Sequence, residues 1–349
     1  MVLKSVRLKN FRNFNEAEYT FNSELTIIVG ENALGKTNLL EAIFFNISGI
    51  GFRETKEIEL IRFDSETEAF VEAIFEEGKI SYRFKIMLQV KNEILQKIFL
   101  IGNTKRPQSA YRKEQTRAVL FTPQQIEILT GSPQRRRDYF NKLLSSYDYE
   151  YKKKLDNFES SLKKRNKLLQ SFYNQKQLEK EISFWNTYLE EQAAYLTHER
   201  SSYVAFLNAH ATIDSKTFEV EYKKNVFSRE RVQEFFQKEL FLRKTFIGPQ
   251  KDDFQIRINS GSTVKDVHSF GSRSEQRLTI LWLKLNEIRF HEKMTNKNPV
   301  LLFDDIFSEL DSKNKKLVID LVKQYQTIAT TTEKEIVGLA SQKKKTILL

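Results

Sequence analysis

The chain has 349 residues, of which 40% are hydrophobic and 12% aromatic, with no cysteine and a formal net charge of +11. That much apolar material supports the core of one large or two smaller domains and excludes wholesale disorder; the lack of cysteine excludes a disulfide framework, a thiolate metal site and a thiol nucleophile. The sequence pI near 9.4 points to a polyanionic partner, nucleic acid first, set against the plainer reading of a solvated basic face.

In chain order, Val6 and Leu8 alternate with Ser5, Arg7 and Lys9, which predicts a half-buried strand. The start, MVLKSVRLKNFRNF, has no apolar h-region, and no apolar run approaches the roughly 18 residues that cross a bilayer. A cytoplasmic protein without a membrane partner is expected. Leu25 to Val29 (LTIIV) reads as a strand buried on both faces, ending at Gly30. From Lys36 onward Leu39, Leu40, Ile43 and Phe44 recur at helical spacing. Ala69, Val71, Ala73 and Phe75 share one face of a strand. Ile80, Tyr82, Phe84, Ile86 and Leu88 share another, with Glu77-Gly78-Lys79 as the hairpin turn. Ala118 to Phe121 is a further strand, running into Pro123.

Residues 124–215 read differently. They are dense in Lys, Glu, Gln and Leu and hold almost no Gly or Pro after Pro133. Phe158, Leu162, Leu169 and Phe172 fall on one helical face. So do Phe184, Tyr188, Glu191 and Tyr195, with Leu189 and Leu196 beside them. An antiparallel helix pair is expected. Strands return with Phe218, Val220 and Tyr222 and with Phe254, Ile256 and Ile258. A helix at 274–293 precedes the apolar strand Val300 to Phe303, and the tail QKKKTILL reads as a loosely held basic end. The predicted division is 1–123, 124–215 as a helical arm insertion, and 216–349. The four histidines (His198, His210, His268, His291) lack zinc-site spacing.

Gly30-Glu31-Asn32-Ala33-Leu34-Gly35-Lys36-Thr37 satisfies GxxxxGK[ST] between a buried strand and a helix, with Asn38 following. In that context the loop N–H groups and the helix N-terminus face phosphate oxygens, Lys36 neutralises β- and γ-phosphates, and the Thr37 hydroxyl is a Mg²⁺ ligand. PVLLFDD, residues 299–305, places two carboxylates at the C-terminal end of a buried strand: Asp304 for Mg²⁺ and Asp305 to orient the attacking water. The alternative is an acidic turn after a strand. ATP and Mg²⁺ are the cofactors this pairing calls for. Most compact P-loop enzymes do not hold these halves so far apart, which an inserted helical excursion explains.

Several segments together resemble the RecF family of ABC/SMC-type ATPases. They are Leu8-Lys9-Asn10-Phe11-Arg12-Asn13; the P-loop with Asn38-Leu39-Leu40-Glu41-Ala42-Ile43; GSPQRRRDYF at 131–140; GPQKDD at 248–253; and FDDIFSELD at 303–311. The resemblance spans residues 3 to 311 and implies an α/β fold: a P-loop ABC-type ATPase head with an inserted helical arm. It implies ATP-dependent binding to gapped, single- and double-stranded DNA, homodimerisation around two nucleotides, slow hydrolysis, and action with RecR and RecO to load RecA. It further implies that Ser272 and Asp311 act in trans on the partner's nucleotide and that Arg12 touches phosphate. Thr330 or Thr331 takes the γ-phosphate-sensing position and Gln124 or Gln125 the Q-loop position. Ser272 with Glu275 also fits a capping box, and Asp311 an N-cap.

The chain departs from the family at Ala33, Ser274 and Glu275, Gln250, Lys251 and Asn141. A positive φ at Ala33 would cost roughly 1 kcal/mol. Glu275 would put negative charge near a trans γ-phosphate. Three basic clusters are candidate DNA contacts: Arg135, Arg136 and Arg137; Lys152, Lys153 and Lys154; and Lys163, Lys164 and Arg165. Arg136 and Arg137 could instead brace the arm against the head through Asp252 or Asp253. An SMC-like chromosome organiser would need far longer arms, a transporter ATPase an intact signature, and an overcoming-lysogeny-type nuclease an appended acidic domain. A non-hydrolysing ATP-binding relative stays open.

Overall fold

A computed structural model describes residues 1–53, 56–64, 68–92, 94–172, 174–260, 263–306, 312–332 and 344–349. In chain order it holds β1 (Val2–Phe11), β2 (Phe14–Thr20), β3 (Leu25–Val29), α1 (Lys36–Ser48), β4 (Glu68–Glu77), β5 (Ile80–Lys91), β6 (Ile94–Ile101), β7 (Thr104–Arg106), α2 (Gln108–Glu114), β8 (Ala118–Phe121), α3 (Glu127–Thr130), α4 (Pro133–Tyr147), α5 (Tyr149–Ser171) and α6 (Gln175–Ala209). There follow β9 (Thr212–Ile213), β10 (Lys216–Lys223), α7 (Arg229–Leu242), β11 (Asp253–Ser260), β12 (Thr263–Asp266), α8 (Val267–Phe270), α9 (Arg273–Thr295), β13 (Val300–Asp304), α10 (Ser312–Val322), β14 (Thr327–Thr331) and β15 (Lys344–Leu348). The contacts divide into two units, 1–125 with 287–349, and 126–286.

The first unit layers α1 between two sheets. One is a parallel sheet ordered β15-β3-β14-β13-β8, the other an antiparallel sheet ordered β2-β1-β4-β5-β6-β7. All five residues of β3, β13 and β14 are buried, as the apolar runs LTIIV and VLLF require of central parallel strands. The antiparallel sheet shows the expected alternation: Ala69, Val71, Ala73 and Phe75 face the core. The hairpin closes with Glu77 opposite Ile80 and with Gly78 at φ +62°, a conformation that glycine adopts freely. Ile80 continues that core face to the hairpin tip, where it is exposed. With a sheet on each side, α1 buries nearly its whole circumference, including Phe45 rather than only the predicted stripe. Its buried Asn46 is satisfied by the Val71 and Phe84 carbonyls.

The C-terminal tail corrects the expectation of a loose end. Residues 344–348 form β15, parallel to β3 with Lys344 opposite Leu25 and Leu348 opposite Val29, and Ile347 is buried. Its few apolar residues give no strand signal; the unpaired edge of β3 supplies the ladder.

The second unit contains the expected helix pair. Lys154 near the start of α5 meets Glu191, whereas Lys164 and Arg165 further along α5 meet Trp185 and Asn186, earlier on α6, so the two helices are antiparallel. The buried stripe of α6 runs through Leu178, Ile182, Leu189, Ala193, Leu196 and Tyr203, whereas Phe184 is exposed. This unit continues past the predicted boundary at 215 to Asn286, because β10 packs on α6 and β11 on α4 in a sheet ordered β12-β11-β10-β9. Among the described residues no helix is long and apolar enough to cross a membrane.

His291 on α9 is fully buried in the first unit. Burial, then Arg117 and Lys297, lower its pKa to about 4. The folded protein therefore keeps it neutral while the unfolded chain takes up a proton near pH 6.5. The contribution is present above that value and lost as pH falls towards 4; it amounts to about 3 kcal/mol. Denaturant unfolding at stepped pH should show this loss in wild type and a smaller one in His291→Leu. Parallel pH curves would refute the assignment.

Candidate functional site

The loop between β3 and α1 is shaped by two left-handed residues, Ala33 at φ +68° and Gly35 at φ +109°. A Cβ on Gly35 would meet Asn13 Nδ2 at 2.6 Å and the Phe14 ring at 3.1 Å, so only glycine fits there. Ala33 accepts the strain that its sequence departure foresaw. Ala33→Gly should raise unfolding stability by roughly 0.5–1 kcal/mol, strain relief net of added chain entropy; denaturant unfolding with no gain would show that the loop relaxes around alanine.

α1 begins at Lys36 with no side chain capping its first N–H groups, which face the loop. Lys36 is buried, and its ammonium donates to the carbonyls of Gly30 (2.7 Å) and Glu31 (2.8 Å). The Thr37 hydroxyl donates to Asp304 Oδ1 at 2.9 Å, joining residues 267 apart in sequence. Thr330 donates to the same oxygen at 2.9 Å, and its hydroxyl accepts the Asp305 N–H at 3.0 Å. Burial pushes the Asp304 carboxyl up; the two threonine hydroxyls, Arg53 and Lys36 act against that. Asp305 is itself left-handed, at φ +51°. The β13–β14 register sets Asp304 opposite Thr330, so of the two candidate threonines it is Thr330 that meets this carboxylate.

Arg12 turns to Glu41. Its Nε donates to Oε2 at 2.8 Å and its Nη2 to Oε1 at 3.2 Å, while Nη1 reaches the Glu59 carbonyl. Glu41 is fully buried and is also approached by Arg53 at 3.8 Å. Asn13 accepts from Asn38 at 2.6 Å and donates to the Leu34 carbonyl at 3.3 Å, bracing the loop from outside. Sequence reasoning assigned neither Glu41 nor Asn13 a role; the signal was their place in the motif segments. Gln125 folds back on the Leu120 carbonyl and the Thr122 N–H, while Gln124 is exposed. Asp311 lies outside the described residues.

In the second unit, Ser272 and Glu275 form the capping box. The Ser272 N–H donates to Glu275 Oε2 at 2.8 Å, the Ser272 hydroxyl to the same oxygen at 2.9 Å, and the Glu275 N–H returns to Ser272 Oγ at 3.3 Å. Partial burial by itself raises the Glu275 pKa, but the Lys265 ion pair at 2.9 Å and the Ser272 donors outweigh it and hold the pKa down at about 2. Lys216 lies 3.7 Å away, so the extra negative charge has two cations beside it.

The predicted basic clusters divide. Arg136 is buried and grips Asp253 with Nε at 2.7 Å and Nη2 at 3.1 Å; Arg137 donates to the Asp252 carbonyl at 2.6 Å. Both contacts lie within the second unit, so the two arginines brace that unit internally and not an arm against a head. Arg165 is fully buried against Glu239 at 2.7 Å, which removes it as a DNA contact: its guanidinium faces the core side of α5. Lys152, Lys153, Lys154 and Arg135 pair with Asp156, Glu150, Glu191 and Glu127. Lys163 and Lys164 are exposed, the latter 4.9 Å from the Trp185 ring.

The RecF/RecN/SMC N terminal domain family matches residues 2–348. The chain is 31% identical to the DNA replication and repair protein RecF of Ruminiclostridium cellulolyticum, over 97% of this chain and 94% of that protein. It is 30% identical to RecF of Leptospira interrogans, over 100% and 98%. Among solved structures it resembles the recombination mediator protein RecF–ATP of the RecFOR pathway, with a TM-score of 0.82 and 28% identity over 95% of this chain and 92% of that one. The Smc head domain of Pyrococcus furiosus shares the fold, with a TM-score of 0.51 and 17% identity over 97% and 92%.

Proposed function

Since the chain belongs to the RecF/RecN/SMC N-terminal domain family and its full-length relatives are RecF proteins, we propose that it is an ATP-gated DNA-binding factor of recombinational repair. In this reading it binds single-strand gaps and double-stranded DNA, dimerises around ATP, hydrolyses it slowly, and acts with RecO and RecR in loading RecA. The observation that carries the proposal is the convergence of Lys36, Thr37, Asp304 and Thr330 on the first turn of α1.

The residues fit the cofactor. A buried ammonium and uncapped helix N–H groups suit a triphosphate, and the hydroxyl–carboxylate pair of Thr37 and Asp304 suits Mg²⁺. When bound, ATP–Mg²⁺ supplies the phosphoryl bond whose cleavage drives the cycle. Gly30 to Asn38 would hold the phosphates, with Lys36 carrying the compensating charge. Asp305, backed by Thr330, would orient the attacking water. Ser272 and Asp311 would act on the partner's nucleotide, Ser272 by exchanging its bond to Glu275. Arg12 would serve through Glu41, fixing the turn that carries Asn13. The Lys265 and Lys216 partners of Glu275 support a signature that tolerates the charge. Of the basic residues, Arg135, Lys152, Lys153, Lys154, Lys163 and Lys164 remain candidates for DNA.

DNA affinity measured with and without ATP–Mg²⁺, on gapped and fully double-stranded DNA, tests this reading. Tightening by ATP is expected. Nucleotide binding that leaves DNA affinity unchanged would instead favour an ATP-binding relative uncoupled at its signature.

A further inference from the structure

The geometry points to a phosphodiester-binding site at the C-terminal end of α7, on a surface that none of the basic clusters read from sequence includes. Lys238, Lys244 and Lys251 bring their ammonium groups to 5.1, 5.2 and 5.9 Å from the centroid of one ring, Phe246. All three lysines are exposed, and none forms an ion pair among the described residues. Lys238 also lies 5.9 Å from Phe235, whose ring Arg231 approaches to 5.3 Å.

This differs from the charged face of α5, where Lys152, Lys153 and Lys154 each sit beside a carboxylate. Of the acids near Phe246 in sequence, Asp252 is fully buried on Arg200, and Glu239 is fully buried too. It spends one oxygen on the Phe246 N–H at 2.8 Å and faces Arg165 at 2.7 Å with the other. It holds the ring in place and offers the lysines nothing. Glu234, one turn before Lys238, makes no ion pair with it.

Three like charges gathered on one ring repel across about one Debye length, roughly 10 Å at 0.1 M salt. An anion relieves that repulsion, and cation–π contact with the ring positions the lysine heads beforehand. Lysine is a point charge with rotatable donors, suited to phosphate without reading bases. The occupant is therefore the DNA backbone, bound irrespective of sequence. This rests on the DNA-binding reading above.

The test uses the full chain and fluorescein-labelled single-stranded and duplex DNA, with anisotropy followed across a salt titration. Replacing all three residues together (Lys238→Ala, Lys244→Ala, Lys251→Ala) should reduce the slope of log affinity against log salt by about 2 to 3 units, near 0.9 per phosphate on duplex. Replacing all three by Arg should retain the slope, and the melting temperature should stay at the wild-type value in both. A wild-type slope and affinity in the alanine variant would overturn the site and leave the DNA-binding reading standing. A wild-type chain with no salt-dependent DNA binding would remove that reading and this site with it.

Discussion

Lys36→Ala should abolish the ATP-induced rise in melting temperature and any ATP-dependent gain in DNA affinity. The Lys36 ammonium is buried in the loop and touches two backbone carbonyls, so its charge sits where solvent competes little. A charge-assisted contact to a phosphate there contributes about 2–3 kcal/mol, enough to weaken nucleotide binding by roughly a hundredfold. The same change leaves the Gly30 and Glu31 carbonyls without their donor, at a cost to the free protein of about 1 kcal/mol. The two effects separate cleanly. Melting without nucleotide reads the second, and the nucleotide-induced shift reads the first. A variant that keeps a wild-type shift would show that nucleotide binds elsewhere.

Asp252→Ala should be the most damaging substitution for the second unit. Asp252 is fully buried and accepts from Arg200 Nη1 at 2.6 Å, the Asn225 N–H at 2.7 Å and the Tyr222 hydroxyl. Arg200 is nearly as buried and holds the Pro249 carbonyl, Asn141 and Tyr151 with its remaining donors. Removing the carboxylate leaves a guanidinium inside without its counter-charge, which costs about 3–5 kcal/mol. Set against a usual total of roughly 5–15 kcal/mol, that is a drop of about 10 °C in melting temperature. Arg200→Leu with Asp252→Leu together should cost less than the two single changes added, since neither charge is then stranded. A loss within about 1 kcal/mol for Asp252→Ala would refute the argument.

This network also explains the departures at GPQKDD and at Asn141. Gln250 donates to the Ile247 carbonyl at 2.6 Å, an anchor within its own turn, while the load passes through Asp252 and Asp253. Asn141 retains the acceptor oxygen that Tyr151 and Arg200 both use. Lys251 turns outward to Phe246 and joins the exposed lysines. No pattern in the linear chain distinguishes that lysine from the ones on α5 that are neutralised by neighbours. Arg165 and Lys164 are adjacent, yet one is fully buried and the other exposed, because consecutive residues of a helix point about 100° apart.

The sequence by itself determined the local pieces of the candidate nucleotide site. Gly30 to Thr37 lies between an apolar run and a helical pattern, and strand, loop and helix are all encoded within a few residues of one another. PVLLFDD carries its strand and its carboxylates together in the same way. The tertiary structure alone decided which partners these local pieces meet. The order β3-β14-β13 brings Thr37 to Asp304 and sets Thr330, not Thr331, on the same carboxylate. It also drew the basic tail onto the free edge of β3. The reason is the range of the forces: side-chain periodicity and turn conformation act over a few residues and can be read along the chain. Sheet order, register and the burial of a charge are settled by contacts between segments hundreds of residues apart, where the same arginine or lysine is stable in either place according to whether a carboxylate arrives beside it.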